Sequence, residues 1–452
     1  MTPSDRNLTV PERTERVEPR DLAIKTLGPA RYDSPLKARL GAAALHPVGH
    51  AGRVLLDDRH LKRNGDSEIP TFELAGPRDR IFFEPSTLSC GIVTCGGLCP
   101  GINNVIRGLV LELTHAYGVK TIWGFRYGFE GMVARHGHAP FRLDPRLVSE
   151  IHRQGGTMLG TSRGGQDPVE MVNTLVALGI GTLFVVGGDG TLRGAAAIVA
   201  EVEKRGLPIS VIGIPKTIDN DIHFIDRSFG FESAYSAAVD VVRSARVEAM
   251  GAHNGIGLVK LMGRHSGFVA CQAALASADV DLVLIPEIET HLDGERGVLA
   301  NLDRVLARKG HAVIVVAEGV AETLMGAATN GTDKSGNAKL EDVGPFLREH
   351  IVAHCRRTGR EVTLKYFDPS YTIRSVPATP SDSVYCWNMA RNAVHAAMAG
   401  NTELLIGRWH GRFVHVPMAL ATRNRKRVDV SGDLWMSVIE ATGQPRAFAA
   451  GS

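Results

Sequence analysis

The chain has 452 residues, 44% of them hydrophobic, with 50 glycines and a formal net charge of +3. That length exceeds one ordinary core and fits two glycine-loop α/β domains, while near-neutral charge excludes nucleic acid and membrane lipid as obvious partners. Six cysteines (Cys90, Cys95, Cys99, Cys271, Cys355 and Cys386) are too sparse for a disulfide scaffold, and Cys95 and Cys99 lack the Cys/His company of a zinc site.

Residues 1–70 are mixed in charge and weakly periodic. The first 21 are polar, with no apolar signal core, and no later stretch approaches a membrane span, so a cytoplasmic location is expected. One short helix is predicted over 36–45, and Asp57, Asp58, Arg59 and His60 read as a solvated turn. This part is expected to pack on the main body or on a neighbouring subunit.

From Ile81 strand, loop and helix alternate. A strand over 88–94 leads through Cys95-Gly96-Gly97-Leu98-Cys99-Pro100-Gly101 to a helix over 102–114, with Val105, Leu109 and Leu113 on one side. A glycine loop there offers free N–H groups and a positive helix dipole to a phosphate, although such a loop can also merely connect. It matches neither the Walker A nor the GxGxxG pattern. A helix is predicted over 145–154, followed by GGTMLGTSRGG (155–165). So much glycine is entropically costly unless the backbone approaches something closely, and Arg163 is read as its phosphate clamp. After a helix over 171–178, a strand over 182–186 is apolar throughout, as a sheet covered on both faces requires. Gly187-Gly188-Asp189-Gly190-Thr191 follows at its C-terminal end, where open α/β sheets bind ligands, and a helix over 193–204 comes next. Asp189 suits Mg²⁺ held against phosphate oxygens, or else caps that helix.

A third strand over 209–214 delivers Pro215-Lys216-Thr217-Ile218-Asp219-Asn220-Asp221. The proline disfavours helix, and extended geometry would aim Thr217, Asp219 and Asp221 one way with Lys216 beside them. Paired carboxylates raise one another's pKa and suit general-base or metal work; the alternative is an Asn/Asp-rich surface turn. A helix over 232–249 has Ala234, Ala238, Val242 and Ala245 on its core face. A strand over 255–261 ends in Met262-Gly263-Arg264-His265, with Arg264 read as an anion ligand and His265 as structural. Strands over 282–285 and 312–317 flank a helix over 302–308 and lead to Glu318, and 323–339 reads as a polar loop. A strand over 363–366 precedes DPSYTIRS (368–375), where Tyr371 and Arg374 share a face if the turn enters a helix. A helix over 381–399 and a motif-free tail complete the chain.

The blocks GGLCPGINNVIRG (96–108), GGDGT (187–191), PKTIDND (215–221), MGR (262–264), the Glu318 turn and DPSYTIRS (368–375) resemble those of the 6-phosphofructokinases, in family order. The resemblance implies an α/β fold of two Rossmann-like three-layer domains with parallel-rich sheets and the active site in the cleft between them. Residues 1–80 would form an N-terminal extension and 81–230 the nucleotide-binding domain carrying the catalytic loop. Residues 231–400 would form the sugar-phosphate domain and 401–452 a closing segment. It also implies Mg²⁺-assisted phosphoryl transfer to the 1-hydroxyl of fructose 6-phosphate, with Asp219 as base, Thr217, Asp221 and Arg264 in support and Asp189 on the metal. Gly96, Arg163, Gly164, Gly188, Gly190, Thr191 and Lys216 match nucleotide positions. Thr217, Ile218, Asp219, Met262, Gly263, Arg264, Glu318, Tyr371, Thr372, Ile373 and Arg374 match sugar-phosphate positions. Such chemistry needs positioning and charge neutralisation more than covalent help.

Pyrophosphate users of this family resemble GGDD with PKTIDND, and the short ATP enzymes GGDG with PGTIDND; this chain combines Gly190 with Lys216. A carboxylate at 190 would crowd and repel a nucleotide, whereas glycine leaves room, so ATP is the expected donor. Pyrophosphate use and a non-catalytic sugar-phosphate-binding subunit are the alternatives. Gly255 and Lys365 stand where short ATP enzymes present arginines, so effector control is expected to be weaker or different. A homo-oligomer, dimer or tetramer, is expected.

Overall fold

A computed structural model describes residues 17–40, 52–57, 69–326 and 341–449. Strands β1 (Arg53–Leu55) and β2 (Thr71–Leu74) precede β3 (Ser89–Thr94), α1 (Ile102–Leu111), β4 (Thr121–Phe125) and β5 (Phe141–Arg142). Then come α2 (Pro168–Ala177), β6 (Ile180–Gly187), α3 (Asp189–Lys204), β7 (Ser210–Pro215) and α4 (Phe231–Met250). A second run holds β8 (Gly255–Leu261), α5 (Phe268–Ser277), β9 (Leu282–Leu284), α6 (Val298–Lys309) and β10 (His311–Ala317). It continues through α7 (Val343–Arg357), β11 (Thr363–Phe367) and α8 (Pro380–Met398). The chain closes with β12 (Leu404–Trp409), β13 (Arg412–Pro417) and α9 (Asp433–Thr442).

The strands form two main sheets. One has the order β1-β2-β13-β12-β7-β6-β3-β4-β5, the other β9-β10-β8-β11. In the first, β12, β7, β6, β3 and β4 run parallel and the margins are antiparallel; the second is wholly parallel. Every residue of β7 and β8 is buried, which is what a strand covered by helices on both faces requires. The shared direction of β3, β6 and β7 brings their C-terminal ends, and the loops that follow, to one edge.

The described part of the N-terminal region packs on this body. Lys25 and Thr26 pair with Thr402 and Asn401, Tyr32 and Asp33 with Ile81 and Arg80, and Phe72 is fully buried against Phe224. A helix occupies Pro35–Leu40, and the remainder of the 36–45 reading lies outside the described residues, as do Asp58, Arg59, His60 and 327–340.

Two readings need correction. The helix expected over 145–154 is a run of turns ending in a 3-10 helix at Ile151–Arg153. Asp144 takes the Leu147 N–H at 2.8 Å on its side chain, as an N-cap does, but the turn it starts does not propagate: Ser149, Arg153 and Gln154 donate to the carbonyls three residues back, at Arg146, Glu150 and Ile151. The tail after 400 does more than close the chain: β12 and β13 build the middle of the first sheet, and α9 packs with its Trp435 buried in the core that holds α5.

Candidate active site

Past Pro215 the backbone turns instead of staying extended, because Asn220 adopts φ +55°. The Asp219 N–H donates to Thr217 Oγ1 at 3.1 Å, and the Thr217 hydroxyl donates to Asp221 Oδ1 at 2.9 Å. The common face expected of Thr217, Asp219 and Asp221 is thus replaced by a turn with Thr217 at its hub. Ser228 N–H to Asn220 Oδ1 (3.0 Å) and Ser266 Oγ to the Asp219 carbonyl (2.8 Å) pin it, the latter from the loop after β8. Asp219 is half-buried, and its Oδ1 is sealed from solvent without a hydrogen-bond partner among the described residues. Burial, followed by the Asp221 and Glu318 charges, pushes its carboxyl well above the ordinary range. A carboxylate so placed gains by taking a proton or facing a cation.

The glycine loops close over this turn. Lys216 is buried, donates from Nζ to the Gly97 carbonyl at 2.7 Å, and has its ammonium pKa held down by burial. It therefore acts as a staple between the reaction loop and the first glycine loop. A Cβ placed on Gly97 would lie 3.4 Å from Arg163 Nη2 and 3.6 Å from Arg374 Nη1, so two guanidinium groups distant in sequence converge on that bare backbone. Thr161 Oγ1 donates to Gly96 O at 2.7 Å and the Gly96 N–H to Ser162 O at 3.0 Å, tying the 155–165 loop, with Gly164, to the same place. Gly188 is the N-cap of α3, so Asp189 is its first helical residue and not the cap, with Thr191 buried behind it. A Cβ on Gly190 would have no heavy atom within 4 Å.

From the second sheet come the remaining residues. Gly263 sits at φ +130°, where a Cβ would lie 2.3 Å from Ser266 O, so the tight turn of Met262-Gly263-Arg264 excludes any side chain there. The Gly319 N–H donates to Gly263 O at 3.1 Å, locking the Glu318 turn beside Arg264. Glu318 is half-buried, and burial raises its carboxyl against the pull of Lys260 and Arg264. DPSYTIRS does enter a short helix, Ser370–Ile373, anchored by fully buried Ile373 and leaving Tyr371 and Thr372 exposed. The Arg374 guanidinium lies 4.6 Å over the Tyr371 ring, the shared face expected of the pair. His265 is half-buried, and burial lowers its pKa, in keeping with a neutral structural role.

Three residues of the site escaped sequence reasoning. Lys260 on β8 pairs with Asp368 at 2.8 Å and Asp342 at 2.9 Å, fixing the start of the Tyr371–Arg374 turn to the N-cap of α7. Arg193 pairs with Asp189 at 3.0 Å, and the i, i+4 spacing on α3 was legible. Arg425, in the tail, lies 3.4 Å from Asp221 Oδ2 and 3.6 Å from Asp189 Oδ2; no local signal announces a contact between such distant stretches. Burial raises the Asp189 carboxyl, opposed by Arg193 and Arg425.

No group of three metal-ligating side chains occurs among the described residues. Mg²⁺ bound with a polyphosphate needs only one or two carboxylates, and the guanidinium already lodged between Asp189 and Asp221 marks a place that favours positive charge. The residues fit such an ion.

The family described as Phosphofructokinase matches residues 89–397. An ATP-dependent 6-phosphofructokinase of Amycolatopsis methanolica is 52% identical over 442 residues, covering 95% of this chain and 96% of its own. The enzyme of the same name from Borreliella burgdorferi is 43% identical over 433 residues, covering 94% and 97%. Among solved structures, a pyrophosphate-dependent phosphofructokinase of Marinobacter aquaeolei superposes with a TM-score of 0.64 at 18% identity, over 80% of this chain and 93% of that one. At that identity the likeness concerns the fold.

Proposed function

Because the chain belongs to the phosphofructokinase family, we propose that it transfers the γ-phosphoryl group of ATP to the 1-hydroxyl of fructose 6-phosphate, giving fructose 1,6-bisphosphate and ADP. Residues 81–230 hold the nucleotide and 231–400 the sugar phosphate. Asp219 accepts the hydroxyl proton; its orphaned, sealed oxygen is the observation that carries this assignment. Thr217 and Asp221 hold the base in its turn. Gly96, Arg163, Gly164, Gly188, Gly190 and Thr191 cradle the donor, with Lys216 fixing the loop that does so. Met262, Gly263, Arg264, Glu318 and the Tyr371-Thr372-Ile373-Arg374 turn grip the sugar phosphate. Asp189 would hold Mg²⁺, which would supply neutralisation of the charge that builds on the phosphoryl oxygens, while Arg163, Arg264 and Arg374 provide the preorganised positive charge of this chain's own.

Donor choice rests on position 190. The Lys216 ammonium is committed to the Gly97 carbonyl, so it discriminates little between phosphate chains, whereas the open space at Gly190 leaves room for a nucleotide. A coupled assay with fructose 6-phosphate and Mg²⁺, comparing ATP with pyrophosphate, tests the proposal. Turnover with pyrophosphate alone overturns the donor assignment, and no turnover with either makes the chain a non-catalytic binding subunit.

A cytoplasmic homo-oligomer completes the proposal. No described helix is long and apolar enough to cross a membrane, and all six cysteines are free and buried. Val247 and Met250 at the end of α4, and Val384 and Trp387 on α8, are exposed apolar surface that a second copy would cover. Light scattering measures the assembly.

A further inference from the structure

The stretch from Thr422 to Val428 runs from the Asp221 turn to Glu287. Ile222 and Arg425 form an antiparallel bridge, the Lys426 N–H donates to the Asp221 carbonyl at 2.9 Å, and the Val428 N–H donates to Glu287 Oε1 at 2.8 Å. Lys426 caps the Ile225 and Asp226 carbonyls at 2.8 and 2.9 Å, so the backbone around Arg425 is held on both sides. Its guanidinium is a third exposed and spans the two acids at 3.4 and 3.6 Å, longer than a tight bidentate pair. With Arg193 on Asp189, two carboxylates are matched by two guanidinium groups.

We infer that Arg425 is the resident counter-ion of the Asp189–Asp221 pair and makes divalent-cation binding conditional on the phosphoryl donor. The inference rests on the reading of Asp189 as the metal residue. A bare cation gains little at a charge-balanced pair, because it must displace a guanidinium whose backbone cannot withdraw. A cation arriving with phosphate oxygens brings its own negative charge, and the displaced guanidinium then has phosphate to pair with. The arrangement keeps the site charge-neutral before the donor enters and leaves a cation aimed at the donor afterwards. No bond is made or broken in this exchange.

The test is Mn²⁺ binding to the full-length chain in the absence of any substrate, followed by electron paramagnetic resonance of the free ion. Arg425→Ala should tighten binding about tenfold, the effect of removing one opposed charge at this distance from a partly exposed carboxylate. Arg425→Lys, which keeps the charge, should bind as weakly as the parent. Adding a non-hydrolysable ATP analogue should then tighten Mn²⁺ binding strongly in the parent and only slightly in Arg425→Ala. Unchanged or weaker substrate-free binding in Arg425→Ala, with native circular dichroism and with Arg425→Lys matching the parent, overturns the inference. Asp189→Asn separates the two levels: Mn²⁺ binding that survives it in the Arg425→Ala background refutes the metal reading itself, whereas its loss together with a tenfold tightening in Arg425→Ala alone supports both.

Discussion

Introducing a carboxylate at position 190 separates donor recognition from stability. A Cβ on Gly190 meets nothing within 4 Å, so aspartate fits without displacing a neighbour. Position 190 is the second residue of α3, where an acid interacts well with the helix dipole and where glycine is a poor helix former. Gly190→Asp should therefore hold or raise stability by a few tenths to about 1 kcal/mol. Toward ATP the sign reverses. One added unit charge roughly 6 Å from a phosphate charge, at an effective dielectric of about 20, costs about 3 kcal/mol, or about 100-fold in affinity. Steady-state kinetics should show the KM for ATP rising by about two orders of magnitude while Tm stays level or climbs. An ATP KM within threefold of the parent, in protein of unchanged Tm, would refute the reasoning about position 190.

Asp219→Asn should lower kcat by about 10²-fold or more with KM for fructose 6-phosphate largely kept, since the amide cannot take the proton; retained turnover would place the base elsewhere. Lys260→Met should raise KM for fructose 6-phosphate several-fold with little change in kcat, because Asp368 no longer holds the start of the Tyr371–Arg374 turn, and should cost about 1–2 kcal/mol of stability. An unaltered KM would remove Lys260 from the site. The acid limb of stability gives the last test. Burial would raise the Glu73 carboxyl, but the His415 ring and Arg78, at 2.7 Å, overcome it and hold the group at about 2. Burial lowers the pKa of His415, so Arg78 is the charged partner at neutral pH. A lowered folded pKa gives stability that is present above the ordinary value near 4.5 and lost as pH falls toward 2, a swing of about 3 kcal/mol. Thermal unfolding of Glu73→Gln between pH 5 and 2 should show a flatter pH dependence than the parent; parallel curves would discount the pair.

Much of the fold was legible because β6, β7 and β8 are short apolar runs, each followed at once by glycine or a turn. The strand over 255–261 matches β8 residue for residue, since burial on both faces leaves no ambiguity of period. The 145–154 segment was misread because Asp144 does cap a first turn, yet the backbone then closes three residues back and not four, a local choice that periodicity does not register. The geometry of 217–221 escaped for a related reason: the αL conformation of Asn220 depends on its side chain taking the Ser228 N–H. Lys260 and Arg425 were invisible for a different one. Their partners, Asp368, Asp342, Asp189 and Asp221, are brought near by sheet topology and not by spacing along the chain.

The position of β12 bears on how the chain is made. Leu404 pairs with Ile212, so the strand that seals β7 leaves the ribosome only after the whole second sheet has been synthesised. Until then β7, every residue of which is buried in the finished fold, is an open edge, the kind of surface that invites intermolecular pairing. A nascent chain halted anywhere before residue 404 should thus depend on chaperone cover. For the same reason, late pairing of β7 with β12 should set the pace of refolding, because contacts this far apart in sequence form slowly.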